Sequence, residues 1–392
     1  METRFYNLKN LLEIKYGKNQ KNIEEPHGKY PILGTGGVIG HTNQFLYDKP
    51  SVLIGRKGTI EKIQYIEQPF WTIDTLFYTI INEKLIIPKF LYYRLLLVDL
   101  TLYNEGTSIP SLTTKTLYKL EIDIPTVNIQ KKILKILNNL DKKIEINKKI
   151  NKNLENQIVA LFKKCFFNFN FKNTPLEGRD IKMKSSEWGN IPKIWEIKYL
   201  GDKKDCPIIR SGIDKFNNEK IYIATADVNN STIINNNTLI TMNNKPSRAN
   251  MQPIKKSIWF AKMIDSRKLI IVDDKYSNIL NNYIFSTGFC GLNCSNELFY
   301  YLWTFLLTDR FNNMKDILCN GTTMQAINNT NVKNISYIKP DNEILNYFNK
   351  IAKPIYDKIH LNKLENTYLT KLRDTLLPKL MSGELDVSGI DI

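Results

Sequence analysis

The sequence predicts an α+β protein in which two pseudo-symmetric α/β domains are separated by an antiparallel two-helix coiled coil. Three observations carry this expectation. One stretch of the chain recurs further on without a gap. A heptad seam follows each copy. A punctuated, strand-like region precedes each copy.

The recurrence lies between GTSIPSLTTKTLYKLEIDIP, Gly106 to Pro125, and GTTMQAINNTNVKNISYIKP, Gly321 to Pro340. Each reads Gly-Thr-(Ser/Thr), a polar stretch, alternating apolar residues and then Pro. Both ends are offset by 215 positions, and the offset persists downstream. Lys143/Lys358, Ile144/Ile359, Asn147/Asn362, Lys148/Lys363 and Asn151/Asn366 are identical pairs, and Leu154/Leu369, Leu161/Leu376 and Lys164/Lys379 keep the register. Agreement at one period over two adjacent segments marks two copies of one unit.

In the first copy KYPILGTGG, SVLIGRKGTIEKIQYI and TIDTLFYTII are short apolar runs set off by Gly, Pro and Asp, which is the pattern of strands and turns. Their counterparts are KIYIATADV, SIWFAKMID and KLIIVDDK. A curved, mostly antiparallel sheet is expected in each. A short helix is predicted at PKFLYYRLLLVDL and at NELFYYLWTFLLTDRF, and the Gly-Thr stretch closes each globular part. The boundaries that follow are residues 1–125 for the first domain and 126–170 for the first long helix. A linker spans 171–189, the second domain 190–340 and the second long helix 341–381, leaving 382–392 as a frayed tail.

In the first long helix Ile133, Leu137, Leu140, Ile144, Asn147, Asn151, Leu154, Ile158, Leu161 and Cys165 are spaced 4,3,4,3 throughout. That is a heptad seam with Lys and Glu between its members. From Gln130 to Phe166 such a helix measures about 55 Å at ~1.5 Å per residue. The second helix places Phe348, Ala352, Ile355, Ile359, Asn362, Asn366, Leu369, Arg373, Leu376 and Leu380 on the matching positions. Pro354 is expected to start or kink it, because a proline ring does not fit a regular helix interior.

A long amphipathic helix has to bury its seam. Two such helices related by a pseudo-twofold axis bury each other antiparallel, which sets Asn147 opposite Asn366 and Asn151 opposite Asn362. Asn in an apolar seam destabilises the pair but fixes register; an Asn-rich composition would also place Asn there. The expected molecule is two globular domains held apart by a rigid pair of helices.

The chain has 392 residues, 42% of them hydrophobic, which suits two or three domains with cores and excludes wholesale disorder. Lys and Arg number 55 against 39 Asp and Glu, a net charge of +16. A polyanionic partner is implied, nucleic acid before an anionic membrane; a codon bias toward Lys, Asn and Ile would also add lysines. No apolar run is long enough to span a membrane, and the N-terminus lacks a signal core. The five cysteines are odd in number and irregularly spaced, so no disulfide framework is expected. A cytoplasmic protein is predicted.

Two basic domains at a fixed separation suit a duplex, whose turn is about 34 Å. The domains differ in sequence, so the predicted target is asymmetric and split, with an unread spacer. Arg56 and Lys57, in IGRKGT, sit on a Gly-flanked turn; Arg reads guanine edges and also grips phosphate. The matching basic positions in the second copy are Lys262 and Arg267, with Arg210 and Arg248 as further candidates. Thr107, Ser108, Thr113 and Lys115, and likewise Thr322, Thr323, Gln325 and Asn328, occupy the polar Gly-Thr stretches. They are placed to bond phosphates or bases, or to cap the strand that follows. Thr35 lies in LGTGGVIG, a turn between strands expected near DNA.

That glycine spacing fits neither G-x-G-x-x-G nor a P-loop, so nucleotide binding is not expected. His27 and His41 read as isolated surface or turn positions. Cys290 and Cys294, with Cys206 and Cys319, read as buried thiols; their spacing lacks a second tight pair for zinc. An adenine methyltransferase would need an Asn/Asp-Pro-Pro-aromatic motif, and no Pro-Pro occurs. Asp180 with Glu196 and Lys198 lacks the Pro-Asp pairing of a nuclease.

YPILGTGGVIG, SVLIGRKGTI, FWTIDTLFY, the Gly106–Pro125 stretch, QKKILKILNNLDKKIEINKKIN and KLRDTLLPKLMSGEL together resemble the specificity subunit of Type I restriction-modification enzymes. The similarity covers nearly the whole chain. It implies two target-recognition domains in tandem, each followed by a long helix. It also implies recognition of double-stranded DNA with no catalysis in this chain; no cofactor and no metal are expected. Two modification (adenine-N6 methyltransferase) subunits would dock on the helices, and restriction (nuclease and translocase) subunits would join them. The second copy carries AKMIDSR where the first has the Gly-Arg-Lys-Gly loop. The rival readings are a non-catalytic coiled-coil adaptor, which explains the helices but not two large basic domains, and an RNA-binding protein.

Overall fold

The computed structural model describes residues 2–322 and 324–390. The chain divides into two compact units. Residues up to 147, with those from 363 onward, form the first, and Lys148–Asn362 form the second.

The first unit runs β1 (Thr3–Asn7), α1 (Leu8–Leu11), β2 (Leu12–Tyr16), β3 (Tyr30–Gly34), β4 (Gly37–Thr42), β5 (Ser51–Gly55), β6 (Gln64–Ile66), β7 (Trp71–Thr72) and β8 (Leu76–Ile81). Then follow α2 (Pro88–Leu95), α3 (Thr114–Lys119), β9 (Glu121–Pro125) and the long helix α4 (Val127–Phe166). One sheet has the order β2-β8-β5-β6 and is antiparallel throughout. A second, β4-β3-β7, pairs β3 and β7 in parallel. β5 is buried along its whole length because strands flank it on both sides and α2 packs on it. That is why SVLIG reads as an unbroken apolar run instead of alternating. Val52, Ile54, Phe77, Phe90, Leu91 and Leu95 share a core with Ile133 and Leu137 of α4.

The second unit repeats this plan. It holds β10 (Met183–Ser186), β11 (Gly189–Pro192), β12 (Glu196–Tyr199), β13 (Lys220–Ile223), β14 (Val228–Asn229), β15 (Thr232–Ile233), β16 (Leu239–Ile240), β17 (Ala249–Met251), β18 (Ser257–Ala261) and β19 (Leu269–Val272). α5 (Ser277–Asn282), β20 (Tyr283–Ser286), β21 (Phe289–Asn293), α6 (Phe299–Leu306), α7 (Asp309–Ile317), α8 (Asn329–Val332), β22 (Ser336–Lys339) and α9 (Asn342–Ser382) follow. The central strand β18 is buried throughout, like β5, in the order β21-β18-β19. The other sheet is again mixed, with β13 parallel to β20. Each unit is closed by a similar antiparallel pair, β1 with β9 and β12 with β22.

The short helices differ from expectation. The alternating segment after each Gly-Thr stretch is only partly strand, because a short helix, α3 or α8, precedes it. The single helix predicted around NELFYYLWTFLLTDRF is two. It breaks before Thr308, whose hydroxyl accepts from the Phe311 amide (3.3 Å) and so caps α7.

α4 and α9 pack antiparallel within each unit, and the fold class is the expected one. In the first unit Arg373 of α9 pairs with Asp141 of α4 (3.1 Å), and Leu377 and Leu380 lie in the core with Leu137. In the second, Ile158 and Phe162 of α4 share a core with Phe348, Ala352 and Ile359 of α9. Pro354 does not start α9, which begins at Asn342; it sits exposed inside the helix. A proline there removes one amide donor, and the seam on the opposite face holds the helix through it. The tail is not frayed through Ile390: Val387 is buried, Ile390 packs beside it, and Lys132 donates to the Ser388 carbonyl.

Candidate nucleic-acid interface

In the first unit the turn after β5 and the Gly-Thr loop are bonded edge to edge. The Leu112 amide donates to the Arg56 carbonyl (2.9 Å), and the Gly58 amide to the Pro110 carbonyl (2.9 Å). Lys57 and Ser111 form an antiparallel bridge between them. Arg56 is partly buried. Its Nη1 donates to the Asp74 carbonyl (2.7 Å), and its guanidinium lies 5.4 Å from the Tyr16 ring centroid. Lys57 is exposed.

The loop itself is tied at the neck. Asn104 Oδ1 accepts from the amides of Gly106 (2.9 Å) and Ser111 (2.8 Å), and its Nδ2 donates to the Gly106 carbonyl (3.1 Å). A Cβ on Gly106 would fall 1.9 Å from the Ile109 carbonyl oxygen, so only glycine fits there. Thr107, Ser108 and Lys115 are exposed. Thr113 caps α3, its hydroxyl accepting from the Thr116 amide (3.2 Å). Thr35 sits in the β3–β4 turn. There Lys62 Nζ donates to the Gly36 carbonyl (2.7 Å) and Gln64 Nε2 to the Gly34 carbonyl (2.8 Å).

The second unit builds the same joint. The Ile327 amide donates to the Lys262 carbonyl (2.9 Å), and the Ile264 amide to the Gln325 carbonyl (3.0 Å). Met263 bridges Ala326. Lys262 thus occupies the place of Arg56, although the local sequences differ. Thr322, Gln325 and Asn328 are exposed, and Asn328 caps α8 by accepting from the Asn331 amide (2.8 Å). Thr323 lies outside the described residues. Arg267 is exposed and 3.8 Å from Asp316. Arg210 and Arg248 are exposed on two segments that the Gly212 amide links by donating to the Asn250 carbonyl (2.9 Å), and the Arg248 carbonyl accepts from the Thr287 amide (2.9 Å), next to Gly288, whose carbonyl accepts from the Lys262 amide (2.9 Å).

On the helices, Asn147 Nδ2 donates to Asn366 Oδ1 (3.0 Å) and Glu365 Oε2 (2.8 Å) in the first unit. Asn362 Nδ2 donates to Asn151 Oδ1 (2.8 Å) in the second. Asn147 and Asn362 are both 1% exposed.

Sequence reasoning missed Asn104 and Lys315. Asn-x-Gly is an Asx-turn signal that could have found the first. Nothing in the sequence marks the second. Lys315 is fully buried, its Nζ donating to the carbonyls of Met263 (2.8 Å) and Ser266 (2.9 Å) and bracing the second joint. His27 and His41 are exposed. Cys206, Cys290 and Cys294 are buried; burial pushes the Cys206 thiol up to about 11 and the Cys290 thiol up to about 12. No helix among the described residues is long and apolar enough to cross a membrane.

A duplicated α+β unit with paired long helices, each copy joining a basic turn to a Gly-Thr loop, defines a class of protein: the chain belongs to the Type I restriction-modification specificity subunits. Residues 2–156 match the family described as Type I restriction modification DNA specificity domain. The Type I restriction enzyme MjaIX specificity subunit of Methanocaldococcus jannaschii is 30% identical over 363 residues, covering 87% of this chain and 79% of that one. The HindI specificity subunit of Haemophilus influenzae is 24% identical, over 78% of this chain and 79% of its own length. The crystal structure of a Type I restriction-modification S subunit from M. genitalium shares the fold, with a TM-score of 0.54 at 17% identity. It covers 97% of this chain and 96% of that one.

Proposed function

We propose that this specificity subunit binds double-stranded DNA and reads an asymmetric bipartite target, one half-site per recognition domain. The domains are residues 1–125 and 190–340. The helices over 126–170 and 341–381 set the spacer and dock two modification subunits, which restriction subunits then join. The chain supplies recognition and leaves chemistry to those partners.

The observation that carries this reading is the recurring joint. Twice, a basic residue at the end of a buried central strand is bonded through its carbonyl to a polar Gly-Thr loop, Arg56 to Leu112 and Lys262 to Ile327. Exposed Lys57, Thr107, Ser108, Lys115, Thr322, Gln325 and Arg267 lie on or beside the joints, and the net charge of +16 supplies the attraction to phosphate. Arg210 and Arg248 extend the basic surface of the second domain, and Thr35 adds a hydroxyl in the β3–β4 turn of the first. The Asn147–Asn366 and Asn151–Asn362 pairs hold the helix register.

Mapping methylated adenines in cells with and without the gene tests the proposal. Methylation confined to a split motif is expected to vanish with the gene. An unaltered pattern would instead fit an adaptor or an RNA binder. Arg56→Ala should relax one half-site by about 1–3 kcal/mol at a base that it reads, or weaken binding uniformly if it holds phosphate. An effect confined to the half-site read by the second domain would overturn the domain assignment.

A further inference from the structure

Each Gly-Thr loop carries a bare apolar side chain at its apex. Ile109 is 61% exposed and Met324 is 71% exposed. They occupy the same place in the repeat, as do the neck glycines Gly106 and Gly321. In both loops the apex carbonyl folds back over the neck. A Cβ on Gly106 would meet the Ile109 oxygen at 1.9 Å, and one on Gly321 the Met324 oxygen at 2.7 Å. Gly321 also has φ +125°, a conformation that disfavours any side chain. The neck of each loop is closed by hydrogen bonds: by Asn104 in the first unit, and by reciprocal amide-to-carbonyl bonds between Asn320 and Ala326 (3.1 Å each) in the second.

We propose that Ile109 and Met324 are apolar base contacts, one per recognition domain, pressed against base edges or steps of the duplex while the basic side chains beside them hold the backbone. This rests on the reading that the chain binds duplex DNA. The surroundings favour a nucleic acid over a protein surface. Each apex stands beside exposed polar and basic side chains, Thr107, Ser108 and Lys115 in the first unit and Thr322, Gln325 and Arg267 in the second, a composition that suits a phosphate-bearing partner. Ile and Met side chains serve as wedges between base steps, and apolar groups contact the thymine methyl. Either contact reads sequence and forms no ion pair with phosphate.

The test is selection of a binding motif by the full-length chain from a pool of random-sequence duplexes, repeated with Ile109→Ser and Met324→Ser. Both residues are exposed, so melting temperatures should not move. Ile109→Ser is expected to lower the preference at one or two base pairs of one half-site about 10-fold, leaving the other half-site and the salt dependence unchanged. Met324→Ser should do the same in the opposite half. Uracil in place of thymine at the affected pair abolishes the Ile109 dependence if the methyl is touched. A rise in 2-aminopurine fluorescence on binding marks a wedge. Both outcomes support the proposal. Motifs unchanged in both variants overturn it, as does an intact motif with lost recovery of the modification subunits. A wild-type chain that enriches no motif removes the DNA reading itself, and is told apart because then no variant comparison arises.

Discussion

Asp273 accepts hydrogen bonds from Tyr300 (2.5 Å) and the Asp274 amide (2.6 Å) and pairs with Lys256 at 2.7 Å. Burial works to raise its pKa. Lys256, Tyr300 and the amide outweigh burial, and the folded value lies below the ordinary 3.8. A depressed carboxylate pKa contributes stability that is present above the unfolded value and is lost as pH falls through the folded one. Asp273→Asn should therefore cost about 1–2 kcal/mol at pH 7. Urea titrations at pH 7 and pH 3 should show that gap shrinking in acid. A gap of equal size at both would mean that the charge contributes nothing. None of this was legible in the sequence, where Asp273 is one acid in a polar Asp-Asp-Lys turn. Gln130 is similar. In the sequence it only marks a helix start, yet it is fully buried and bonds the Ile87 amide and the Leu85 and Pro125 carbonyls.

Among the elements, the long helices were the most legible, because a 3.5-residue period sustained over many turns has no other explanation. The short helices α3 and α8 were the least. Each is one or two turns long and depends on its cap, Thr113 or Asn328, and on one buried apolar residue, Leu117 or Val332. Thr113→Ala and Asn328→Ala should each lower stability by about 1 kcal/mol, with glycine at the same position recovering most of it. Calorimetry of the full chain checks this. Equal losses for alanine and glycine would show that the hydroxyl or amide acts elsewhere, including at DNA.

For the molecule as a whole, the helices are the proposed ruler. Seven residues inserted after Asn147 and seven after Asn362 preserve both heptad seams and add about 10 Å to each helix. The spacer between half-sites should widen by up to about three base pairs while the half-sites stay the same, read out by mapping methylated adenines. Altered half-sites with an unchanged spacer would contradict the ruler.

The sequence by itself determined the duplication, the two long amphipathic helices and the α+β class. Those are periodic features, and periodicity survives without knowing which residues touch. Only the tertiary structure decided that Lys262 stands where Arg56 does, that Thr113 and Asn328 cap helices, that Lys315 is buried beneath the second joint, and that the tail is packed. Each of these depends on a contact between segments whose separation in the chain carries no pattern. The same limit governs the interface. Residue type nominated the basic and polar positions, and the backbone bonds between two distant loops show which of those loops are joined.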